Sequence, residues 1–137
     1  MIEIKQAEYE AMLAYAKGCF PEEACGLIAG TVDGSGKKTI EKVYLLENTD
    51  HSAEHFSLSP ADQLRAVKDM RANGWKPLGN WHSHPQTPSR PSQEDKRLAY
   101  DRTASYLILS LMRLEQPILN AFHIEDDTVE QEPLEYV

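Results

Sequence analysis

Two histidines, a serine and an aspartate lie close together in the chain at a spacing that suits a metal ion. His82 and His84 are separated by one residue, and Pro85 follows at once. Six further residues separate Pro85 from Ser92, and Asp95 lies three positions beyond Ser92. Two histidines and one carboxylate form a zinc ligand set that leaves a fourth tetrahedral position for water, as catalytic zinc sites do. The residues therefore predict a catalytic zinc held by His82, His84 and Asp95.

The strand that we predict over residues 78–84 explains how two of these ligands could meet. Side chains two positions apart on a strand leave the same face, so His82 and His84 point together while Ser83 points away. The pair alone is weak evidence, because a chain with five histidines can contain this spacing by accident. Ser92 and Asp95 have a structural alternative, a capping box at a helix start, and the capping and metal-binding roles can coexist.

Residues 82–95, together with a glutamate further upstream, resemble the JAMM, or MPN-plus, metalloprotease family. The motif of that family is a glutamate, then H-x-H-P, six residues and S-x-x-D, and this chain has no departure at the motif positions. Residues 21–27, Pro-Glu-Glu-Ala-Cys-Gly-Leu, look like the family's P-x-E-x-C-G-L segment. That segment selects Glu23 over Glu22 as the acid, so the resemblance runs from Glu23 to Asp95 in the expected order.

The resemblance implies a zinc-dependent metalloprotease and gives each residue a role. Zinc would acidify a water molecule, and Glu23 would accept its proton as the general base. Ser92 would donate a hydrogen bond to the oxyanion, and Glu23 would then protonate the leaving amine. Taken alone, Glu23 is more typical of an exposed acidic residue in a loop, so its assignment depends on the metal motif.

The substrate implied by the resemblance is a peptide or isopeptide bond after the C-terminal tail of a small ubiquitin-like protein, such as a bacterial sulfur carrier. Only residues 113–116 separate the two late strands, which favours the compact bacterial type over deubiquitinases that carry long insertions. Residues 56–58 would border the groove for the substrate tail, and an edge strand there could pair with the tail. The oligomeric state is left open, with a homodimer as one option.

Two functions from other classes compete with this prediction. A non-catalytic MPN scaffold would mediate assembly without turnover, but such proteins usually lack the metal ligands present here. A zinc nucleoside deaminase would require H-x-E with P-C-x-x-C, and neither motif occurs in the chain. His51 and His55 are assigned to a polar loop, and Trp81 is assigned to the core rather than to a substrate platform.

Length, charge and cysteine count limit the functions that the chain can have. A chain of 137 residues can bury one complete core, so we predict a single domain over residues 1–137. The net charge of -8 argues against a nucleic-acid partner. We expect a cytoplasmic protein without membrane contact, because signal-peptide features and long apolar stretches are absent from the sequence. Cys19 and Cys25 are too few for a disulfide scaffold and are expected to be reduced.

Helical and strand patterns alternate along the rest of the chain. Apolar residues at helical spacing over residues 9–16 predict a first helix, Ser59 and Pro60 open a second, and residues 92–100 predict a short third. The apolar face of the second helix is predicted from four residues, Ala61, Leu64, Val67 and Met70. Strands are predicted at the start of the chain, for residues 24–29, 39–46, 55–58, 78–84, 104–112 and 118–124, and from residue 128.

These elements predict an α/β fold of the α+β kind, with one curved mixed sheet and about three helices. The strands over residues 24–29 and 39–46 are expected to form a hairpin, because a turn sequence rich in glycine separates them. By its resemblance to the JAMM family, the fold would be an MPN/cytidine-deaminase-like sandwich.

Overall fold

Three helices and eight strands form the fold, and most of them begin and end near the positions expected from the sequence. The computed structural model describes residues 1–137. The helices are α1 (Gln6–Cys19), α2 (Pro60–Ala72) and α3 (Gln93–Arg97). The strands are β1 (Ile2–Ile4), β2 (Cys25–Val32), β3 (Lys38–Leu46), β4 (Lys76–His84), β5 (Ser105–Ser110), β6 (Ile118–Glu125), β7 (Thr128–Glu132) and β8 (Leu134–Tyr136).

All eight strands belong to one mixed sheet, in the order β7-β6-β5-β4-β2-β3-β1-β8. β2 and β3 form the predicted antiparallel hairpin, β2 also pairs antiparallel with β4, and β4 pairs parallel with β5. The register shifts on both sides of β2, and such irregularities bend a sheet. The predicted α+β fold with one curved mixed sheet is therefore confirmed, and β2 and β4 are neighbours at its centre.

The core lies on both faces of the sheet, so β5 is buried at every position. Leu107 and Leu109 belong to the main core, which also contains Met12 and Ala16 of α1. Ile108 belongs to a smaller cluster on the other side of the strand. A strand covered on both faces has a continuous apolar sequence, and each buried leucine or isoleucine stabilises the fold by roughly 1.5–3 kcal/mol.

The inner face of α2 differs from the face that the sequence predicts. Met70 is buried as expected, but Leu64 is 55% exposed and Ala66 takes the second buried position. Ala66 and Met70 pack with Tyr44 of β3 in one cluster, and the Tyr44 hydroxyl also donates a hydrogen bond to Asp69 at 2.7 Å. A polar contact between two elements is not visible in the periodicity of one of them, so the prediction of this face was wrong in part.

α2 and α3 start where predicted, whereas α1 begins at Gln6, before the predicted residues 9–16. α3 is shorter than expected. Ser59 caps α2 by accepting a hydrogen bond from the backbone N–H of Asp62 at 3.0 Å. α3 ends at Arg97 rather than near residue 100, and none of its residues is buried. A helix without a packed face gains little from extension, which accounts for the early end. No helix of this chain has the length and apolar character needed to cross a membrane.

The segment over residues 55–58, predicted as a strand, is a loop. Its backbone bonds to a side chain instead of a neighbouring strand. The amide of Asn48 donates to the carbonyl of His55 at 2.8 Å, and its side-chain oxygen accepts from the backbone N–H of Ser57 at 3.3 Å. The predicted edge strand for a substrate is therefore absent here, and the prediction was wrong.

Trp81 joins the three central strands rather than a substrate surface. Its side chain is fully buried, which confirms the core assignment, and its indole N–H donates to the carbonyl of Tyr44 on β3 at 3.0 Å. The indole reaches β3 over Gly26 of β2, where an added Cβ would lie only 1.6 Å from the Tyr44 oxygen. Only glycine leaves room for this contact, which ties β4, β2 and β3 together beside the candidate site.

Candidate metal centre

The end of β4 and the start of α3 bring the three proposed ligands together. His82 and His84 leave one face of β4 and are both buried. Their Nε2 atoms are 3.1 Å apart. Asp95 approaches from α3, and its Oδ2 lies 3.3 Å from His82 Nε2 and 3.2 Å from His84 Nε2. One atom from each residue therefore faces a common point.

The spacing of these three atoms fits a zinc ion. Zinc bonds to histidine nitrogen and carboxylate oxygen are about 2.0–2.2 Å, so tetrahedral neighbours are separated by about 3.3 Å. The observed separations of 3.1, 3.2 and 3.3 Å agree with that geometry. Two imidazoles and one carboxylate also form the donor set of a site with one position open to water.

Asp95 is held by the capping box at the start of α3. Its backbone N–H donates to Ser92 Oγ at 3.0 Å, and its Oδ2 accepts from the Ser92 backbone N–H at 2.9 Å. This is the same Oδ2 that faces the two histidines, so capping and metal ligation are compatible in one residue. Ser92 accepts through its oxygen in this contact, which leaves its hydroxyl hydrogen available to a further acceptor.

The ring of His84 is oriented by a backbone carbonyl, and the ring of His82 is not. His84 Nδ1 donates to the carbonyl of Pro88 at 2.9 Å, which leaves the lone pair of Nε2 directed at the site. His82 Nδ1 is buried and has no hydrogen-bond partner. The ring of Phe56 stacks on His82 instead, with centroids 4.9 Å apart and planes inclined by 24°.

The ionised state of Asp95 suits a cation, whereas a proton on His84 would compete with one. Burial alone raises the pKa of Asp95, but hydrogen bonds with His82 and His84 outweigh it and hold the pKa below its usual range. Burial alone lowers the pKa of His84, and the contact with Asp95, followed by the Pro88 carbonyl, reverses the direction and raises it. A carboxylate that stays ionised without a metal leaves the site with a negative charge for a cation to neutralise.

Glu23 lies two residues before the start of β2, near the candidate ligands. Its residue is only 5% exposed, its backbone N–H donates to Ser52 at 2.8 Å, and its carbonyl accepts from Asn48 at 3.0 Å. Burial raises the pKa of Glu23 to about 8, opposed by the charge of His84 and increased by Asp95. An acid with a pKa near neutrality can both accept and donate a proton at physiological pH.

We expect the stability of the metal-free protein to depend on Glu23 and pH. The folded protein keeps a proton on Glu23 up to a pKa of about 8, whereas the unfolded chain loses it near 4.5. The free energy of unfolding is therefore highest below pH 4.5 and falls as the pH rises toward 8. Each pH unit between these two pKa values corresponds to about 1.4 kcal/mol, so the total is on the order of 5 kcal/mol.

Urea unfolding in chelator measures this effect when the wild type is compared with Glu23→Gln at pH 5 and pH 8. The variant is expected to be more stable than the wild type at pH 8, with a smaller difference at pH 5. Because all other titrating groups are common to the two proteins, their contributions cancel. The same difference at both pH values would contradict the pKa assigned to Glu23.

Asp95→Ala is expected to weaken zinc retention during dialysis against a chelator. The substitution removes one of three ligands as well as the carboxylate of the capping box. A capping role alone would cost about 1 kcal/mol of stability and leave metal content unchanged. Ser59→Ala is a matched control, since it removes the cap of α2 without touching the site. Equal zinc retention in both variants would limit Asp95 to a structural role.

The other residues singled out in the sequence stay outside the ligand set. His51 faces Glu22 and Glu47 at the surface, and His55 pairs with Glu94 at 2.6 Å. Both lie in a loop. The cysteines are free, and burial raises the pKa of Cys25 to about 12, which keeps its thiol neutral.

Sequence reasoning missed the residues that support the site from β4 and from the loop after β3. Ser83, which points away from the ligands, accepts a hydrogen bond from the backbone N–H of Ala24 at 2.8 Å. Asn48 and the stacking of Phe56 on His82 were also missed. The alternation along β4 could have identified Ser83 as buried, but no local pattern marks Asn48.

A mixed sheet with two buried histidines at one strand end, an aspartate from the following helix and a buried glutamate just before the neighbouring strand is typical of a JAB, or MPN, type of domain. Residues 5–124 match the family described as prokaryotic homologs of the JAB domain. The chain belongs to this family.

Individual proteins agree with this assignment. The CysO-cysteine peptidase of Mycobacterium tuberculosis is 32% identical over 127 residues, which cover 93% of this chain and 85% of the relative. The solution structure of a protein from Desulfitobacterium hafniense is 51% identical, with a TM-score of 0.92, and the match covers 100% of this chain and 93% of that one. A JAB1/MPN domain protein from Archaeoglobus fulgidus has the same fold at 24% identity, with a TM-score of 0.64 over 98% of both chains.

Proposed function

We propose that this protein is a zinc-dependent peptidase that hydrolyses a peptide or isopeptide bond after the C-terminal tail of a small ubiquitin-like protein. The observation that carries the proposal is the convergence of His82, His84 and Asp95 at zinc-ligand spacing beside the buried Glu23. A similar protein is a CysO-cysteine peptidase, which supports hydrolysis as the reaction and a protein carrier as the substrate. We assign the activity to one domain formed by residues 1–137.

His82, His84 and Asp95 would hold the metal through the three atoms that already face one another. A zinc ion bound there supplies Lewis-acid chemistry, since it lowers the pKa of water and polarises a carbonyl oxygen. The carbonyl of Pro88 accepts a hydrogen bond from the Nδ1–H of His84, which leaves the lone pair of Nε2 free for the metal. The capping box keeps Oδ2 of Asp95 in place.

Glu23 acts as the general base in this proposal. Its burial gives the carboxylate a higher proton affinity than an exposed glutamate has. Glu23 takes a proton from the attacking water and returns it to the nitrogen of the leaving amine, so no proton is gained or lost over the reaction. Ser92 donates its free hydroxyl hydrogen to the oxygen that becomes negative in the transition state.

The site has room for a substrate beside the ligands. A cavity of about 50 Å³ opens next to His82 and Asp95, with an apolar wall that includes Leu98 and Ile108. Such a volume can hold several water molecules or a small group of heavy atoms. We infer that the end of an extended tail is bound there, with the bulk of the carrier outside the cavity. A sulfur carrier of the ubiquitin-like type is the proposed partner.

The proposal is tested with a sulfur-carrier protein extended by one residue at its C-terminal tail. The zinc-loaded enzyme is expected to shorten the carrier by that residue, as read by intact-protein mass spectrometry. Chelator should stop the reaction and added zinc should restore it. Binding of the carrier without any shortening, for zinc-loaded protein and several added residues, would favour a non-catalytic scaffold.

A further inference from the structure

The second ring nitrogen of His82, Nδ1, lacks the hydrogen bond that orients the ring of most metal-binding histidines. A ligating imidazole usually donates its second N–H to a carboxylate, a carbonyl or water, which holds the ring in the correct orientation. His84 follows this rule through the carbonyl of Pro88. His82 does not, because its Nδ1 is buried without a hydrogen-bond partner. Some other contact must keep the ring of His82 directed at the site.

The ring of Phe56 provides a contact of the required kind. It stacks on His82 with a centroid distance of 4.9 Å and an angle of 24°, close to parallel. A flat ring against the face of an imidazole restricts rotation about the imidazole's side-chain bonds without using a polar atom. Phe56 belongs to a loop, so its own position has to be fixed before it can orient another side chain.

Asn48 fixes the backbone on both sides of Phe56. Its amide group donates to the carbonyl of His55 at 2.8 Å, and its side-chain oxygen accepts from the N–H of Ser57 at 3.3 Å. The Asn48 residue is only 8% exposed, so these bonds form away from water and cost more to lose than surface bonds. Asn48 thus closes the short loop that presents the aromatic ring.

The same amide group also reaches Glu23. Asn48 Nδ2 donates to the carbonyl of Glu23 at 3.0 Å, in addition to its bond with His55. Ser52, from the loop that Asn48 begins, accepts a hydrogen bond from the Glu23 backbone N–H at 2.8 Å. The segment that orients His82 is therefore also the segment that fixes the backbone of the proposed base.

We propose that Phe56 is a positioning residue for the metal ligand His82. Asn48 holds the backbone beside Phe56 and the backbone of Glu23 in fixed positions through its hydrogen bonds. The inference rests on the proposed metal site. Phe56 also lines the cavity beside His82, so zinc affinity, measured without substrate, is the readout of its positioning role. Stacking by Phe56 replaces the hydrogen bond that His82 Nδ1 lacks. Because Asn48 bonds to both segments, the orientations of His82 and Glu23 depend on the same loop.

The first test measures the zinc dissociation constant of Phe56 variants by competition with a chromogenic chelator. Phe56→Ala is expected to bind zinc about 10-fold more weakly, the lower end of the effect of losing an outer partner. Phe56→Tyr keeps the stacked ring and is expected to restore wild-type affinity, whereas Phe56→Leu is not. Phe20→Ala, the same change at a partly exposed position outside the site, serves as the control.

The second test addresses the role of Asn48 with Asn48→Asp. This change keeps an oxygen that can accept from the backbone N–H groups of Asp50 and Ser57. It removes the amide group that donates to the carbonyls of Glu23 and His55. We expect weaker zinc binding, a lower kcat and faster cleavage by chymotrypsin after Phe56. Asn73→Asp is the matched control, since it removes a similar amide-to-carbonyl bond at the exposed end of α2.

The outcomes separate this inference from the proposed function. Zinc affinity within twofold of the wild type in both Phe56→Ala and Asn48→Asp would overturn the inference, as would a wild type that binds no zinc. If the wild type binds zinc and the variants lose affinity while no carrier is cleaved, the positioning role stands and the proposed function fails. If Asn48→Asp does not fold, the three Phe56 variants decide the result.

Discussion

Glu23→Gln is expected to keep its zinc but to lose about 10³-fold in kcat, because the metal ligands remain while the proton acceptor is removed. Gln preserves the size and polarity of the side chain, so the buried position remains filled. The neutral amide cannot take a proton from water or return one to the leaving amine. Metal content is measured on the same preparation as the hydrolysis of a tail-extended carrier.

Glu22→Gln is the matched control for this experiment. Glu22 is the adjacent glutamate, its side chain is 39% exposed, and it contacts His51 at the surface. Its substitution should leave both zinc content and kcat close to the wild type. Undiminished hydrolysis by Glu23→Gln would remove Glu23 from the mechanism, and loss of activity in Glu22→Gln alone would mean that the wrong glutamate had been chosen.

The double variant His82→Ala, His84→Ala is expected to lose its metal completely. Wild-type protein should contain about one zinc per chain after loading, as measured by mass spectrometry, and the variant should contain none. One carboxylate cannot retain zinc after two of three ligands are gone. The site is buried, so an adventitious surface metal is not expected to replace it.

The matched control is the double variant His51→Ala, His55→Ala, which removes two loop histidines outside the ligand set. It should retain its zinc, because neither residue faces the common point of the three ligands. Absence of metal from the wild type, even after zinc is supplied, would rule out the zinc site and favour the scaffold function.

The sequence predicted the elements of the fold well where the signal was local. Ser59 with Pro60 predicted the start of α2, and the apolar run of β5 predicted a buried strand. β8 was not predicted, because its partner β1 lies at the other end of the chain. The loop at residues 55–58 was predicted as a strand, since its alternating sequence carries no sign of the distant Asn48 side chain that binds its backbone.

The candidate ligands were predictable because they lie close together in the sequence. His82 and His84 could be placed on one face from strand alternation alone, and Asp95 from the helix start. The choice of Glu23 over Glu22 depended on the family resemblance, since both precede the same strand. Burial of Glu23, which raises its pKa, results from packing between separate segments and has no local signature.

Because β2 pairs with β4, the spacing of the reactive groups does not depend on the lengths of the loops of the domain. Cys25 pairs with His82 in the ladder, and Ala24 and Ser83 are joined by two further hydrogen bonds of 2.9 and 2.8 Å. The distance from the proposed base to the ligands is therefore set by backbone geometry in the sheet, not by the length of any connection. Insertions over residues 113–116 would leave the reactive groups in their places. Divergence of substrate range in such a scaffold requires no change in its chemistry.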